Sequence, residues 1–336
     1  MLRFLLKKFL QLIVVLAIIS FASFAVIYIA PGDISQMYIT ADMSEEQKEL
    51  VKASLGLDKS LVEQYLAWAC MALQGNLGVS LSSQNVPVAT LIGNRLPATL
   101  LLMGCSLALS LAVALPLGLV AGYRRNTWVD HLISGLSYVG MSIPTFWFGM
   151  LLIILFSATL HVLPSSGMHT VGAEGAWDTF RHLIMPVLAL SISDLAVFIR
   201  YVRANTIGQL GEEYVLAAQA RGTSRRKILF GHVLKNTLLP IITLLGMNLA
   251  SLVCGSFIIE TVFGWPGVGT LAMSAIGSRD YPVIMAYIML SGTILVVGNF
   301  VADLLYAVVD PRIRLFESPA AKGGDAAEKG GELQHA

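Results

Sequence analysis

Charge is what this sequence holds least of. Asp, Glu, Lys and Arg make up 13% of its 336 residues, against about 25% in an average soluble domain. Apolar residues make up 56%, and the mean hydropathy is +0.73. So few charges exclude an ordinary water-soluble fold and point to several membrane crossings. Cysteine is also scarce. Cys70, Cys105 and Cys254 lie far apart with no metal-ligand spacing, which excludes a disulfide framework. Two of them sit in apolar runs and act as small hydrophobes.

Catalytic motifs are missing as well. No G-x-x-x-x-G-K-[ST] run occurs, so the chain has no phosphate loop for binding and hydrolysing ATP. Neither H-E-x-x-H, G-x-S-x-G nor C-x-x-C is present. The histidines, His131, His161, His169, His182, His232 and His335, are scattered. Only His161, His169 and His182 share one predicted loop, and they are the candidate trio for touching a metal.

Six apolar runs reach membrane length: 9–30, 98–121, 132–160, 183–204, 237–259 and 283–309. The first follows Arg3, Lys7 and Lys8 and resembles a signal peptide. A signal's apolar core is roughly 7–15 residues, whereas a spanning helix needs about 20. Residues 1–30 therefore read as an uncleaved first membrane helix. Pro144 predicts a tilt or kink in the third run. Pro116 and Pro186 also fall inside runs, where neighbouring helices satisfy the freed carbonyls.

The predicted fold is all-α, a polytopic bundle of six transmembrane helices. With the N-terminus in the cytoplasm, 16 of the 22 Lys and Arg residues fall on the inside. That asymmetry puts both termini in the cytoplasm. Residues 31–97 then form an extracytoplasmic helical segment and 98–316 a five-helix core. The core carries a cytoplasmic loop at 205–236, and 317–336 form a disordered tail rich in Gly, Ala and charge.

Two capping boxes are legible in the outer segment, Ser44–Gln47 and Ser60–Glu63. The second opens a helix whose predicted apolar face is Val62, Tyr65, Leu66, Ala69 and Leu73, ended by Gly75. That face fits the outer membrane interface, packing over the bundle, or an external partner. The second outer segment, 260–282, is rich in glycine and aromatics. Gly264, Pro266, Gly267 and Gly269 predict tight turns there. Trp265 suits a membrane interface, and the run from Leu271 to Ile276 suits a short helix.

Ionisable groups inside spans are costly and are functional candidates by default. Asp194 is the deepest. Arg200 and Arg203 lie in the last turns of the same run and are predicted to snorkel to headgroups. Asp303 and Asp310 lie towards the inner end of the sixth run.

The cytoplasmic loop is the most informative stretch. Its residues Val215 to Ala220 are small or helix-favouring, and Gly222 is placed to take φ > 0 and close the helix. Thr223 or Ser224 then caps a turn opening with Arg225, Arg226 and Lys227, against the helix dipole. Ala217, Ala218 and Ala220 make a slim helix fit to enter a groove. Spacing alone reads equally as a docking segment and as a basic loop obeying the positive-inside rule.

Several ordered runs, including LGLDKSLVEQYLAW (55–68), SIPTFWFGMLL (142–152), GEEYVLAAQARGTSRRKILFGHVLKNTLLP (211–240), ETVFGWPGVG (260–269) and DLLYAVVDPRIR (303–314), give the chain its identity. It resembles the inner-membrane permease subunit of binding-protein-dependent ABC importers, in the dipeptide, oligopeptide and nickel branch, from residue 1 to about 316. The family's Glu-Ala-Ala signature falls on Leu216, Ala217 and Ala218, with Gly222 following. Leu216 departs from the Glu.

The resemblance implies a permease in a prokaryotic cytoplasmic membrane, moving small peptides. It is not itself an enzyme and holds no cofactor; ATP and Mg are bound by partner ATPase subunits. The coupling residues it implies are Ala217, Ala218, Arg221, Gly222 and Arg225. Asp194 is the candidate for the substrate path. Implied partners are a second homologous permease, cytoplasmic ATPases, an extracytoplasmic substrate-binding protein and membrane lipid, with no nucleic acid. Nickel or a metal chelate is the alternative cargo. A self-sufficient ion-coupled carrier or channel is the alternative of another class.

Overall fold

The computed structural model describes residues 2–29, 59–83, 85–173 and 175–309, with residues 43, 44, 46, 47 and 49 besides. The predicted tail, Asp310, the side chain of Asp303 and most of the predicted helix at 44–56 lie outside the described residues. The first capping box is present. Ser44 N–H donates to Gln47 Oε1 at 2.9 Å, and Gln47 N–H to Ser44 Oγ at 3.3 Å.

Eleven helices are described in chain order: α1 (Leu2–Ile29), α2 (Leu61–Leu73), α3 (Val88–Tyr123), α4 (Trp128–Ser142), α5 (Thr145–Leu152), α6 (Ala176–Leu210), α7 (Glu213–Ala220), α8 (Arg225–Lys227), α9 (Leu234–Val262), α10 (Val268–Ser278) and α11 (Tyr281–Val309). Wider π-helical turns extend α5 over Ile153–Thr159 and join α8 to α9 over Ile228–Val233. Among the described residues the only strand pairing is an isolated bridge between Val79 and Pro87. Because α3 begins at Val88, helical structure precedes the apolar run by ten residues, and Pro97 sits inside the helix.

Among the described residues, four helices are long and apolar enough to cross a membrane: α1 from Lys8, α3, α6, and α11 as far as Val301. The α4–α5 pair qualifies only when both arms are taken together, and it bends by 99°. This is far sharper than the expected kink. Pro144 has no N–H to continue the ladder, and it forces Ile143 into extended backbone (φ −85°, ψ 124°). Each arm is about 22 Å long, so a symmetric chevron reaches roughly 29 Å, close to the hydrocarbon thickness of about 30 Å. Helix α9 has 29 residues, about 43 Å of rise.

The closest helix pair is α3 and α6. Ser110 Oγ donates to the Ser191 carbonyl at 3.3 Å. A Cβ on Gly118 would lie 2.5 Å from Val202 Cβ, and one on Gly122 would lie 2.7 Å from Thr206 Cβ. These contacts advance in the same direction along both chains, so the helices are parallel. The intervening α4–α5 chevron must therefore carry the chain back across the bundle. Glycines four apart share one helix face and let two backbones approach closely.

The bundle has two distinct ends. The rim gathers residues 76–87, 160–173 and 263–282. Here Trp265 Nε1 donates to the Ala98 carbonyl at 2.9 Å, and Gly167 N–H to the Phe263 carbonyl at 2.8 Å. The basic end gathers residues 123–130 and 203–233.

Asp280 locks the rim. Its fully buried carboxylate accepts from the hydroxyls of Ser80 and Ser82 and from the Ser82 amide at 3.0 Å. Burial opposes the charge, but the hydrogen bonds of Ser80, Ser82 and the Leu81 amide outweigh it and hold the carboxyl below its ordinary value. Stability from this lock is therefore complete above about pH 4 and is lost as pH falls through the lowered pKa.

Two outcomes are expected. Gly118→Ala and Gly122→Ala should lower the melting temperature of the detergent-purified protein, at a cost of about 1–3 kcal/mol each for overpacking. Gly93→Ala and Gly104→Ala, which meet nothing within 4 Å, serve as neutral controls. Equal melting of all four variants would refute the close approach. Second, hydrogen exchange over residues 76–87 should stay slow from pH 8 to pH 5 and speed up only below about pH 4. Asp280→Asn should make it fast throughout. Protection in Asp280→Asn that matches the native chain would show that the carboxylate does not hold the loop.

Candidate functional site

The helix expected over Val215 to Ala220 is present as α7, and its seating is asymmetric. Val215 is fully buried and Ala218 is 3% exposed. Both belong to one buried cluster with Leu119 of α3, Val202 of α6, and Ile228, Leu229 and Val233 of the π-helical turns. The helical period puts residues 215 and 218 on one side. Leu216 (60% exposed), Ala217 and Ala220 face outward, followed by exposed Arg221 and Gly222. Of the residues singled out from the sequence, Ala217, Arg221, Gly222 and Arg225 are thus on the surface. Ala218 lies underneath, against this chain's own core. A bulky substitution at 218 would disturb that core before it touched anything outside.

Gly222 has φ +72°. Its N–H donates to the Gln219 carbonyl at 2.9 Å, and that of Thr223 to the Ala218 carbonyl at 3.1 Å. This is the left-handed glycine cap expected from the sequence. Ser224 takes the N-cap position of α8 without a side-chain bond. Tyr214 donates to Gln209 Oε1 at 2.8 Å, tying α7 to the end of α6.

Two basic residues are fixed at this end. Arg225 Nη1 lies 3.4 Å from the Tyr123 hydroxyl. Arg203 forms a two-pronged pair with Asp130, through Nε to Oδ1 and Nη2 to Oδ2 (2.8 Å). Asp130 is buried and also accepts from the Asn126 amide and from Ser134 Oγ. Arg203 therefore does not snorkel to headgroups; a planar guanidinium matched to a carboxylate is held by the protein. Asp130 escaped the sequence reading, although an acid in the first turn of a helix is a recognisable signal. Arg200 remains exposed, with its guanidinium 5.9 Å from the centre of the Tyr138 ring.

Asp194 sits near the midpoint of α6. It is 8% exposed and has no hydrogen-bond or ion-pair partner among the described residues. Ser191 lies one turn before it, and Ser106 and Ser110 of α3 are buried along the same helix contact. These side chains give the apolar bundle a polar stripe.

At the rim, Glu260 is fully buried at the end of α9. It accepts from Thr99 Oγ1 (2.7 Å), the Gly269 amide (2.6 Å) and the Thr270 amide (3.3 Å). A Cβ on Gly267 would stand 2.3 Å from its Oε2, so this glycine is required by the carboxylate. Trp265 is fully buried and is a core residue, where an interfacial position was expected. The expected short helix is present as α10. His182 uses both ring nitrogens, on the Gly167 carbonyl (3.1 Å) and Thr170 Oγ1 (3.2 Å). It lies 3.8 Å from Asp178, and His169 lies 3.9 Å from the same carboxylate. No group of three His, Cys, Asp or Glu able to hold a metal ion occurs among the described residues.

Comparison with known proteins agrees with this architecture. Residues 114–315 match the family model described as "Binding-protein-dependent transport system inner membrane component". Residues 1–103 match the corresponding N-terminal model. The "Oligopeptide transport system permease protein AppB" of Bacillus subtilis is 38% identical over 314 residues, covering 93% of this chain and 99% of that protein. The "Dipeptide transport system permease protein DppB" of Escherichia coli K12 is 34% identical over 337 residues, covering 94% and 99%. The "Glutathione transport system permease protein GsiC" of Escherichia coli O6:H1 is 37% identical over 314 residues, covering 94% and 99%. Among solved structures, the inward-facing MetNI methionine ABC transporter shares the fold. Its TM-score is 0.54 at 17% identity, covering 66% of this chain and 96% of that one. The chain belongs to the binding-protein-dependent transport system inner membrane component family, the membrane permeases of ABC importers.

Proposed function

We propose that this chain is one of two non-identical permease subunits of a peptide importer, with six membrane spans and both termini in the cytoplasm. The spans are α1, α3, the α4–α5 chevron, α6, α9 and α11. The parallel α3–α6 contact and the charge asymmetry support this topology. The rim then faces outward, towards a substrate-binding protein, and the basic end faces the cytoplasm. Oligopeptide, dipeptide and glutathione permeases among the relatives favour a peptide over nickel.

The observation that carries the coupling role is the seating of α7. One face is anchored in the core, while an exposed Leu216–Ala217–Ala220 face and Arg221 are left for a partner. A cytoplasmic ATPase docks there, and Gly222 and Arg225 set the exit of the chain from the docking helix. Ala218 transmits movement because it sits in the buried cluster that also holds Leu119 and Val202. ATP shifts the bundle only through contacts that differ between its two states, and those contacts belong to the ATPase. Asp194, an acid near mid-span with no partner among the described residues, lines the peptide path and complements the peptide's ammonium end.

Purified importer in proteoliposomes tests both roles. Ala217→Glu and Arg221→Glu should cut ATP-driven peptide uptake by an order of magnitude or more, as for an interface hot spot of about 2 kcal/mol. The ATPase should be lost on size exclusion while membrane insertion is normal. Full uptake with ATPase bound would remove the docking role. Asp194→Asn should leave the complex intact and lower uptake of peptides with a free ammonium more than that of N-acetylated ones. Uptake by this chain alone, without ATPase, would instead favour an ion-coupled carrier.

A further inference from the structure

Helix α2 carries polar groups only in its first turn, and both are used there. Glu63 closes the capping box with Ser60, and Gln64 Nε2 donates to the Lys59 carbonyl at 2.9 Å. From Tyr65 to Leu73 every residue is apolar or aromatic. One side leans on α1. Tyr65 shares a 2.8 Å hydrogen bond with Ser20, and its ring lies 5.2 Å from Phe21 and 5.7 Å from Phe24. Trp68 lies 6.1 Å from Phe24. The opposite side leaves Val62, Leu66, Met71 and Leu73 exposed by 55, 54, 46 and 89%. The face expected from the sequence is split: Tyr65 and Ala69 are half-buried, whereas Val62, Leu66 and Leu73 are exposed.

Two rulers give the depth of this contact. Ser20 lies nine residues before the end of α1, about 14 Å of helix, and Phe24 about 7 Å. Ile19 packs against Gly292 of α11, eleven residues and about 16 Å from the rim end of that helix. A leaflet's hydrocarbon is about 15 Å deep. With the described end of α1 placed at the membrane surface, the aromatic contacts lie below it, and the axis of α2 falls within the depth of about 5–10 Å typical of a helix embedded in one leaflet. Alongside, α1 exposes Ile13, Val14, Ile18, Phe21 and Val26, so the bare face of α2 continues a lipid-facing wall.

We propose that α2 is embedded in the leaflet reached by the end of α1, with Val62, Leu66, Met71 and Leu73 against lipid acyl chains. On the topology proposed above this is the outer leaflet. The polar cap at Lys59–Gln64 holds the N-terminal turn at the headgroups. Through residues 74–80 the helix then fixes the height of the Ser80–Asp280 lock above the bilayer.

Spin labels test this in the assembled importer reconstituted into bilayers. One label goes on Cys70, with Cys105 and Cys254 replaced by Ser. Others go on Leu66→Cys and Leu73→Cys, with Cys70→Ala added, and on Lys59→Cys as a water-facing control. An unchanged elution profile and melting temperature of the purified protein establish that each labelled variant is folded. At 66, 70 and 73, collisions with dissolved oxygen should exceed collisions with a water-soluble nickel chelate several-fold, with the reverse at 59. Nickel access at 66 and 73 would overturn the proposal in favour of a water-facing docking surface. Exclusion of both reagents would overturn it in favour of burial against another protein chain. Neither result depends on the cargo or on ATPase docking.

Discussion

The close parallel contact of α3 and α6 is the constraint on which the rest of the structure depends. In hydrocarbon, apolar side chains gain nothing by leaving lipid for one another, so helix association rests on close backbone approach and interhelical polar contacts. Gly118 and Gly122 supply the first, set against Val202 and Thr206. Ser110 supplies the second. Two parallel helices at contact distance dictate what joins them. The chain must return across the bundle between residues 123 and 176, and the α4–α5 chevron is what does so. Its 99° bend leaves it about as tall as the hydrocarbon is thick. The apolar surface on its outer side faces away from the pair.

Around this pair, burying a polar group is tolerated where partners are built in. Glu260 has Thr99 and two amides, with glycines clearing the space around it. Asp130 has Arg203, and Asp280 has two serines. Each of these acids joins segments distant in sequence and sits at an end of the bundle, where helix termini and turns offer free N–H groups. Asp194 breaks the pattern. It lies in mid-span, where backbone donors are already used within the helix, and no partner is provided among the described residues. A group that is costly to bury and has no structural partner is the one whose removal should affect function rather than folding.

The helices were legible because their signals are local. Apolar runs, capping boxes, the left-handed Gly222 and the break at Pro144 were all readable from short windows of sequence. The membrane-length runs gave the location of α1, α3, α6 and α11. Faces were less legible. Ala218, Trp265 and Arg203 each point differently from the expectation, since composition gives no rotational setting for a helix that is apolar on all sides. Long-range pairs were invisible. The partners of Glu260, Asp280 and Asp130 stand 161, 200 and 73 residues away. Gly118 and Gly122 were not singled out in the sequence, and Gly267 and Gly269 were read only as turns, although all four mark close approaches.

The same contact decides how a force on α7 would travel. Ala218 shares a buried cluster with Leu119 and Val202, and Val202 itself packs on Gly118. This cluster sits where α3 and α6 approach so closely that neither can slide past the other without a clash at Gly118 and Gly122. The pair must move as one body. The link to α9 is of another kind, through π-helical turns at Ile228–Val233 that contribute Ile228, Leu229 and Val233 to the seat of α7. A π-helical turn is held less tightly than an α-helical one and is the natural place for a packed bundle to yield. Rigid on the α3–α6 side and yielding on the α9 side, the seat of α7 would convert a push into a change of angle between the two halves of the bundle. A change of angle is the motion that opens one end of a path while closing the other.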